Sequence, residues 1–364
     1  MPAKKLLSIL QSDYYQSVLS RHCNILLVCS QDDLVSSHSR TKGDLTATLE
    51  YIELLAMKPF ALQLSNGANL SGIHSIPPQS EGSAKSKKFP LLVGLHGGTY
   101  DCHYFDADPA HSASVSSVAF GVPFVSIHRP DYGGTSSLQP IAKGSKETGS
   151  WLHSYILPAL WSEFGEPNGC NCIVLLCHSL GVMGGIIAGA LHGQDDNPSY
   201  PLGGVIVSGL GEKLLPGMEE NPFQEPNVSD DKVLFPVDVK DSLMFRPGTV
   251  HPGILEQSDR LNSPSPILEI DSLRSWWLPI WRDEWASRVT APVMFGLSEQ
   301  DCFFVGTEEH ARDCASAFGR SVRVDSSFIK RAPHCLELSY WSQGWYARCF
   351  GFALECSVSF SEGG

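Results

Sequence analysis

The chain has 364 residues, of which 42% are hydrophobic and 18% charged, with 33 Gly and 24 Pro. That length and apolar content can bury a large core, so fibrous and broadly disordered architectures are excluded. A formal net charge of −13 argues against nucleic acid as a partner, because such a surface needs a positive face.

Eleven cysteines, odd in number and without repeated C-x-x-C or zinc-finger spacing, read as thiols in a reducing compartment, so a cytoplasmic protein is expected. The opening MPAKKLLSILQSDYY, residues 1–15, has an apolar stretch too short for a signal-peptide core, and no run approaches the roughly 18 residues of a membrane span. The last residues, SFSEGG, lack a peroxisomal Ser-Lys-Leu ending and a prenylation Cys.

Residues 1–46 mix a possible amphipathic helix with an apolar NILLVCS and are treated as an N-terminal extension. FALQLSNGANLSGIHSI, 60–76, reads as two strands joined at Asn66-Gly67, and the polar PPQSEGSAKSKK after it, 77–88, as an exposed connection. FPLLVGLHGG (89–98), VPFVSIHRP (122–130), NCIVLLCHS (171–179), LGGVIVSGLG (202–211) and APVMFGLSEQD (291–301) are apolar runs ending at turn residues. Helix-compatible stretches lie between several of them, which is the βαβ rhythm of a mostly parallel sheet. The alternating SVRVDSSFI, 321–329, looks like the last strand.

Residues 212–289, rich in Pro and Trp and containing SWWLPIWRDEW, break the rhythm where a lid or cap would be inserted. The expected organisation is therefore an extension (1–46), a core (47–211 and 290–364) and a lid (212–289). Trp276, Trp277, Trp281 and Trp285 sit at helical spacing and read mainly as lid core; Trp276 and Trp277 are also candidate walls of an apolar substrate pocket.

The chemistry centres on Cys177-His178-Ser179-Leu180-Gly181. Nucleophilic catalysis by Ser needs its hydroxyl lifted out of the sheet on a strand-to-helix elbow, and the tight turn selects small flanking residues in the pattern G-x-S-x-G. Gly181 matches and Cys177 departs, although Cys is still small. A helix opening with Gly181, Gly184, Gly185, Ala188 and Gly189 could lie close against the sheet. Independently, the earlier run ends LHGGTYD, an HGG where an oxyanion loop would follow the third strand.

An acid and a base should follow in that order. Asp301 sits just beyond APVMFGL, at the carboxyl end of a strand, and His334 follows in KRAPHCLEL. Glu299 is the rival acid and His310 a rival base. His178 should line the elbow or contact substrate. Cys177, Cys302 and Cys335 adjoin the candidate triad, but paired metal-ligand spacing is absent, so no metal is expected and the thiols read as buried small hydrophobes.

With these motifs the chain resembles the α/β-hydrolase superfamily over roughly residues 48–364. The resemblance implies a mostly parallel central sheet with helices on both faces and an inserted lid. It assigns Ser179 as nucleophile, His334 as general base and acid, and Asp301 as its orienting carboxylate. The N–H groups of Gly98 and Leu180 form the oxyanion hole, with Thr99 able to displace Gly98. No cofactor is implied, and Ser at the elbow speaks against chemistry that needs a carboxylate nucleophile.

HGGTYD, RPDYGGTS and CHSLGVMGG look most like fungal hydrolases and trans-acting thioesterases of polyketide pathways, of the brefeldin and decarestrictine type. That resemblance implies release of an apolar acyl ester or thioester by hydrolysis or lactonisation, with an acyl carrier protein as a partner. An acidic carrier would need a basic patch; Arg320, Arg323, Lys330 and Arg331, or Lys85, Lys87 and Lys88, could supply one. A carboxylesterase or lipase acting on small apolar esters is the nearest alternative. A non-catalytic ligand-binding or lyase-type protein of the same fold is the alternative of another class.

Overall fold

A computed structural model describes residues 53–78, 89–137, 145–218, 227–229 and 231–362. The N-terminal extension and Lys85, Lys87 and Lys88 lie outside the described residues. Residues 54–364 form one compact unit that includes the inserted segment.

Its centre is an eight-stranded sheet in the order β1-β2-β4-β3-β5-β6-β10-β11. The strands are β1 (Lys58–Gln63), β2 (Asn69–Ser75), β3 (Pro90–Leu95), β4 (Phe124–Ile127), β5 (Cys172–His178), β6 (Leu202–Ser208), β10 (Val293–Gln300) and β11 (Val324–Pro333). β1 and β2 form an antiparallel hairpin around Asn66-Gly67, β2 is antiparallel to β4, and the other neighbours are parallel.

Every residue of β3, β5 and β6 is buried, which explains why these strands read as continuous apolar runs. Leu91, Val93 and Leu95 face one core together with Leu152, Val182 and Ile186. The intervening Leu92 faces the other, with Trp345, Tyr346 and Phe350. The first core is covered by a helical run over 145–168 and by α2 (Gly181–His192); the second by α1 (Ala113–Phe120) and by the long C-terminal helix Ser342–Glu362. The helix-compatible stretch before β4 forms α1, with Ser112 accepting from the Ser114 N–H and Gly121 closing the helix in the left-handed region.

Between β6 and β10 the chain leaves the sheet. This segment carries β7 (Asn227–Ser229), β8 (Lys232–Leu234) and β9 (Ser265–Pro266), which make a second small sheet, then a helical run over 267–288. Trp277, Trp281 and Trp285 of that run are buried in the first core. Among the described residues no helix is long and apolar enough to cross a membrane.

Candidate active site

β5 ends and α2 begins within three residues, so the backbone between them must reverse sharply. Ser179 takes φ 51°, a left-handed conformation that costs a non-glycine residue roughly 1–3 kcal/mol and is stored where surrounding structure enforces it. Two close approaches enforce it here. A Cβ on Gly181 would lie 2.5 Å from the carbonyl oxygens of both Leu95 and His96, so the elbow can close on the end of β3 only with glycine there. One turn into α2, a Cβ on Gly185 would lie 2.4 Å from Cys177 Sγ. The thiol that departs from G-x-S-x-G is thus accommodated by a glycine eight residues later.

The structure brings Ser179, Asp301 and His334 together. His334 Nε2 is 3.1 Å from Ser179 Oγ and its Nδ1 is 2.8 Å from Asp301 Oδ2. The other oxygen of Asp301 accepts the backbone N–H groups of Phe303 (2.8 Å) and Phe304 (3.0 Å), which fixes the carboxylate's orientation. His334 and Asp301 are both buried, and the Phe303 ring packs edge-on against His334 at 4.9 Å. With Nδ1–H donated to Asp301, Nε2 is the tautomeric acceptor for the Ser179 hydroxyl. The rivals are occupied elsewhere. Glu299 is exposed and accepts the Arg331 N–H at 2.6 Å; His310 donates from Nδ1 to the Val305 carbonyl and accepts the N–H groups of Glu212 and Lys213.

The HGG loop lies directly against the elbow: a Cβ on Gly97 would come 2.9 Å from Ser179 Cβ. Thr99, also at positive φ (63°), donates its N–H to Ser265 Oγ at 2.5 Å and accepts the Ser263 N–H at 2.9 Å. The N–H groups of Gly98 and Leu180 have no hydrogen-bond partner among the described residues. Orientation of the Gly97–Gly98 peptide comes from behind. The Gly97 carbonyl accepts His96 Nδ1 at 2.7 Å and Arg129 Nη2 at 3.3 Å. Because a trans peptide points its carbonyl and N–H in opposite directions, holding that oxygen aims the Gly98 N–H the other way.

Arg129 is in turn held by the inserted segment. Its guanidinium forms a buried two-point ion pair with Glu269, Nη1 on Oε1 and Nη2 on Oε2 at 3.1 Å. Glu269 also accepts the Tyr132 hydroxyl at 2.7 Å. Sequence reasoning passed over this pair, since residues 140 apart leave no local signature.

His178 does not face the cavity at Ser179. It lies buried behind the elbow with Nδ1 3.1 Å from Ser208 Oγ, stacked on Tyr104 at 4.8 Å. Burial, with His334 and His96 nearby, pushes its pKa well down and keeps the imidazole neutral. The carboxylate beneath it, Glu337, accepts from Tyr104 (2.7 Å) and Trp345 Nε1 (2.9 Å), and burial raises its pKa. Burial likewise pushes the Cys335 thiol up to about 12 and the Cys302 thiol well above its usual range, so neither is a thiolate at neutral pH.

A cleft open to solvent lies over Ser179, Gly98, Thr99 and Leu180. Its outer wall comes from the inserted segment: Phe235, Met244, Ile270, Leu273 and Arg274. Trp276 and Trp277 are not in that wall. The i, i+3, i+4 set Ile270, Leu273 and Arg274 turns toward the cleft, whereas Trp277 packs on Trp281 at 6.2 Å and Trp276 on Trp285 at 6.3 Å. Helical spacing announced a packed stripe but not which stripe faces the cavity. Of the basic residues ahead of His334, Arg323 is neutralised by Asp325 and Glu355, while Arg320, Lys330 and Arg331 are exposed.

No protein-family model matches the chain, and no curated protein sequence is similar to it. Solved structures are. A thermostable carboxyl esterase from Bacillus coagulans, determined with glycerol, aligns at TM-score 0.57 and 14% identity over 83% of this chain and 99% of its own. DcsB in complex with its substrate analogue aligns at 0.54 and 10% identity, over 83% and 100%. The epoxide hydrolase VrEH1 from Vigna radiata aligns at 0.51 and 14% identity, over 81% and 97%. The protein has the α/β-hydrolase fold, with a mostly parallel central sheet and helices on both faces. At such identities the likeness fixes the fold alone, and the chemistry has to be argued from the site.

Proposed function

We propose that the protein is a serine hydrolase that cleaves an ester or thioester carbonyl through an acyl-enzyme. Ser179 Oγ attacks the carbonyl carbon while its proton passes to His334 Nε2, and Asp301 stabilises the imidazolium that forms. The N–H groups of Gly98 and Leu180 receive the developing oxyanion. Collapse of the tetrahedral intermediate breaks the bond to the alcohol or thiol, which leaves with the proton from His334. Water, deprotonated by His334, then attacks the acyl carbon; the bond to Ser179 Oγ breaks, the acid leaves, and His334 returns the proton to Ser179. The observation that carries this reading is the unbroken relay of 3.1 Å and 2.8 Å ending on a strained Ser179 beside two unpaired amides.

The substrate reading follows the cleft, whose apolar wall suits a small or medium acyl chain. A simple small ester fits that wall; the motifs HGGTYD and RPDYGGTS favour an acyl chain released from a carrier, as free acid or lactone. For the carrier reading the described part of the basic patch is Arg320, Lys330 and Arg331, because Arg323 is paired, and Lys85, Lys87 and Lys88 lie outside the described residues.

The test is labelling with a fluorophosphonate followed by peptide mass spectrometry. The wild type should gain the phosphonyl mass on the peptide containing Ser179, and folded Ser179→Ala should gain none and lose ester hydrolysis. An unreactive wild type, or an Ala variant that still labels and turns over, overturns the reading in favour of a binding or lyase-type protein.

A further inference from the structure

We infer that Arg274 is an anion-recognition group, and that the ester or thioester taken by this site carries a carboxylate or phosphate beyond its apolar part. The inference rests on the proposed hydrolase reading and names its substrate class. Among the described residues Arg274 is the one charged side chain lining a cleft whose other walls include Leu210, Phe235, Met244, Ile270, Leu273 and Phe303. Among the described residues no carboxylate lines the cleft with it.

The side chain is anchored but not satisfied. Its Nε donates to the Met218 carbonyl at 2.8 Å, which fixes the plane of the guanidinium, and neither terminal amino group has a partner among the described residues. Asp271, one turn back on the helical run, is exposed and contributes only a coulombic influence. Partial burial disfavours the cation, lowering its pKa from the usual arginine value. A planar two-donor edge held in an apolar cleft matches the two oxygens of a carboxylate or phosphate. In a chain of net charge −13 an anionic substrate gains little from the surface at large, so this contact decides its acceptance.

The shared chemistry is an oxyanion, and two arms separate its sources. The acyl arm compares p-nitrophenyl butanoate with the p-nitrophenyl half-ester of glutaric acid. The leaving-group arm compares butanoyl-N-acetylcysteamine with butanoyl-coenzyme A, which differs by carrying phosphates. In at least one arm the wild type should show a higher kcat/KM for the anionic member, and Arg274→Gln should lower the anionic-to-neutral ratio by roughly tenfold to hundredfold, mostly through KM. Arg274→Lys, which keeps charge but not the planar fork, should restore part of that ratio. A wild type without anionic preference in either arm, or a ratio unmoved in both variants, overturns the inference while leaving the hydrolase reading intact. A wild type inactive on all four compounds and unlabelled at Ser179 overturns both.

Discussion

Glu269→Gln is the most informative single change outside the triad, because it removes one charge and almost no volume. In the wild type the Arg129 guanidinium, 1% exposed, is matched by both carboxylate oxygens of Glu269, itself 4% exposed. The amide would leave a desolvated cation without its counter-charge and Tyr132 Oη with a weaker acceptor. Breaking a buried pair in this way costs about 3–5 kcal/mol, a large share of a net stability of roughly 5–15 kcal/mol. With about 2–4 °C of midpoint per kcal/mol for a domain of this size, the thermal midpoint should fall on the order of 10 °C. Catalysis should report a separate loss. With Arg129 free to tilt, the Gly97 carbonyl keeps only His96, and the Gly98 N–H is aimed less well at charge that develops only in the transition state. In the proposed mechanism kcat falls by roughly tenfold or more, the full loss of an oxyanion donor being about 10²–10³, and KM moves less. Arg129→Met/Glu269→Leu separates the two effects: stability should recover, because an apolar pair replaces the ions, and kcat should not. Urea and thermal unfolding alongside steady-state kinetics on one ester decide the matter. If Glu269→Gln unfolds within about 1 kcal/mol of wild type and keeps wild-type kcat, the pair neither holds the segment nor aims the peptide.

Two further changes probe local packing and a buried charge. Gly185→Ala would drive a Cβ to 2.4 Å from Cys177 Sγ and should cost about 1–3 kcal/mol as overpacking; Cys177→Gly should relieve it, and simple additivity in the double-mutant cycle would show that the two sites do not share space. Lys240, 1% exposed over the Tyr100 ring at 4.5 Å, has its pKa lowered by burial from 10.5 to about 8. Its folded-state pKa lies below the unfolded one, so its contribution to stability is present above about pH 10.5 and is lost as pH falls toward 8. Relative to Lys240→Met, the wild type should therefore gain about 3 kcal/mol between pH 8 and 10.5, and parallel pH–stability curves for the two proteins would refute this.

The sheet was legible because its central strands are buried on both faces and so read as unbroken apolar runs; β3 and β5 announce both their presence and their endings in HGG and CHSLG. The elbow was legible through Gly181, which meets two carbonyl oxygens, while the tolerance of Cys177 depends on Gly185 and emerges only when helix and strand are set together. Asp301 and His334 could be placed by chain order and strand ends. The orientation of His178 could not, since being next to Ser179 in sequence puts its side chain behind the turn, on Ser208 and Tyr104. The wall of the cleft was illegible for a related reason. Helical periodicity in 267–288 picks out the tryptophans by size, yet the face that matters carries Ile270, Leu273 and Arg274, and only the position of the helix over the elbow selects it.

That position changes what the inserted segment can be. A swinging lid touches its core through contacts that break cheaply, but 263–269 meets the HGG loop through Ser263 N–H on the Thr99 carbonyl and Thr99 N–H on Ser265 Oγ, and meets the chain just after β4 through Glu269 on Arg129. Lys232 of β8 adds a bond to the Asp131 carbonyl at 2.5 Å. Lifting the segment would strip Thr99 of both backbone partners and strand a buried cation, a cost well above thermal energy. The residues that line the cleft and those that hold the Gly97–Gly98 peptide are therefore tied into one bonded network. In the proposed mechanism substrate would reach Ser179 through the existing mouth of the cleft, and a change in the inserted segment aimed at specificity would also be felt at the Gly98 amide.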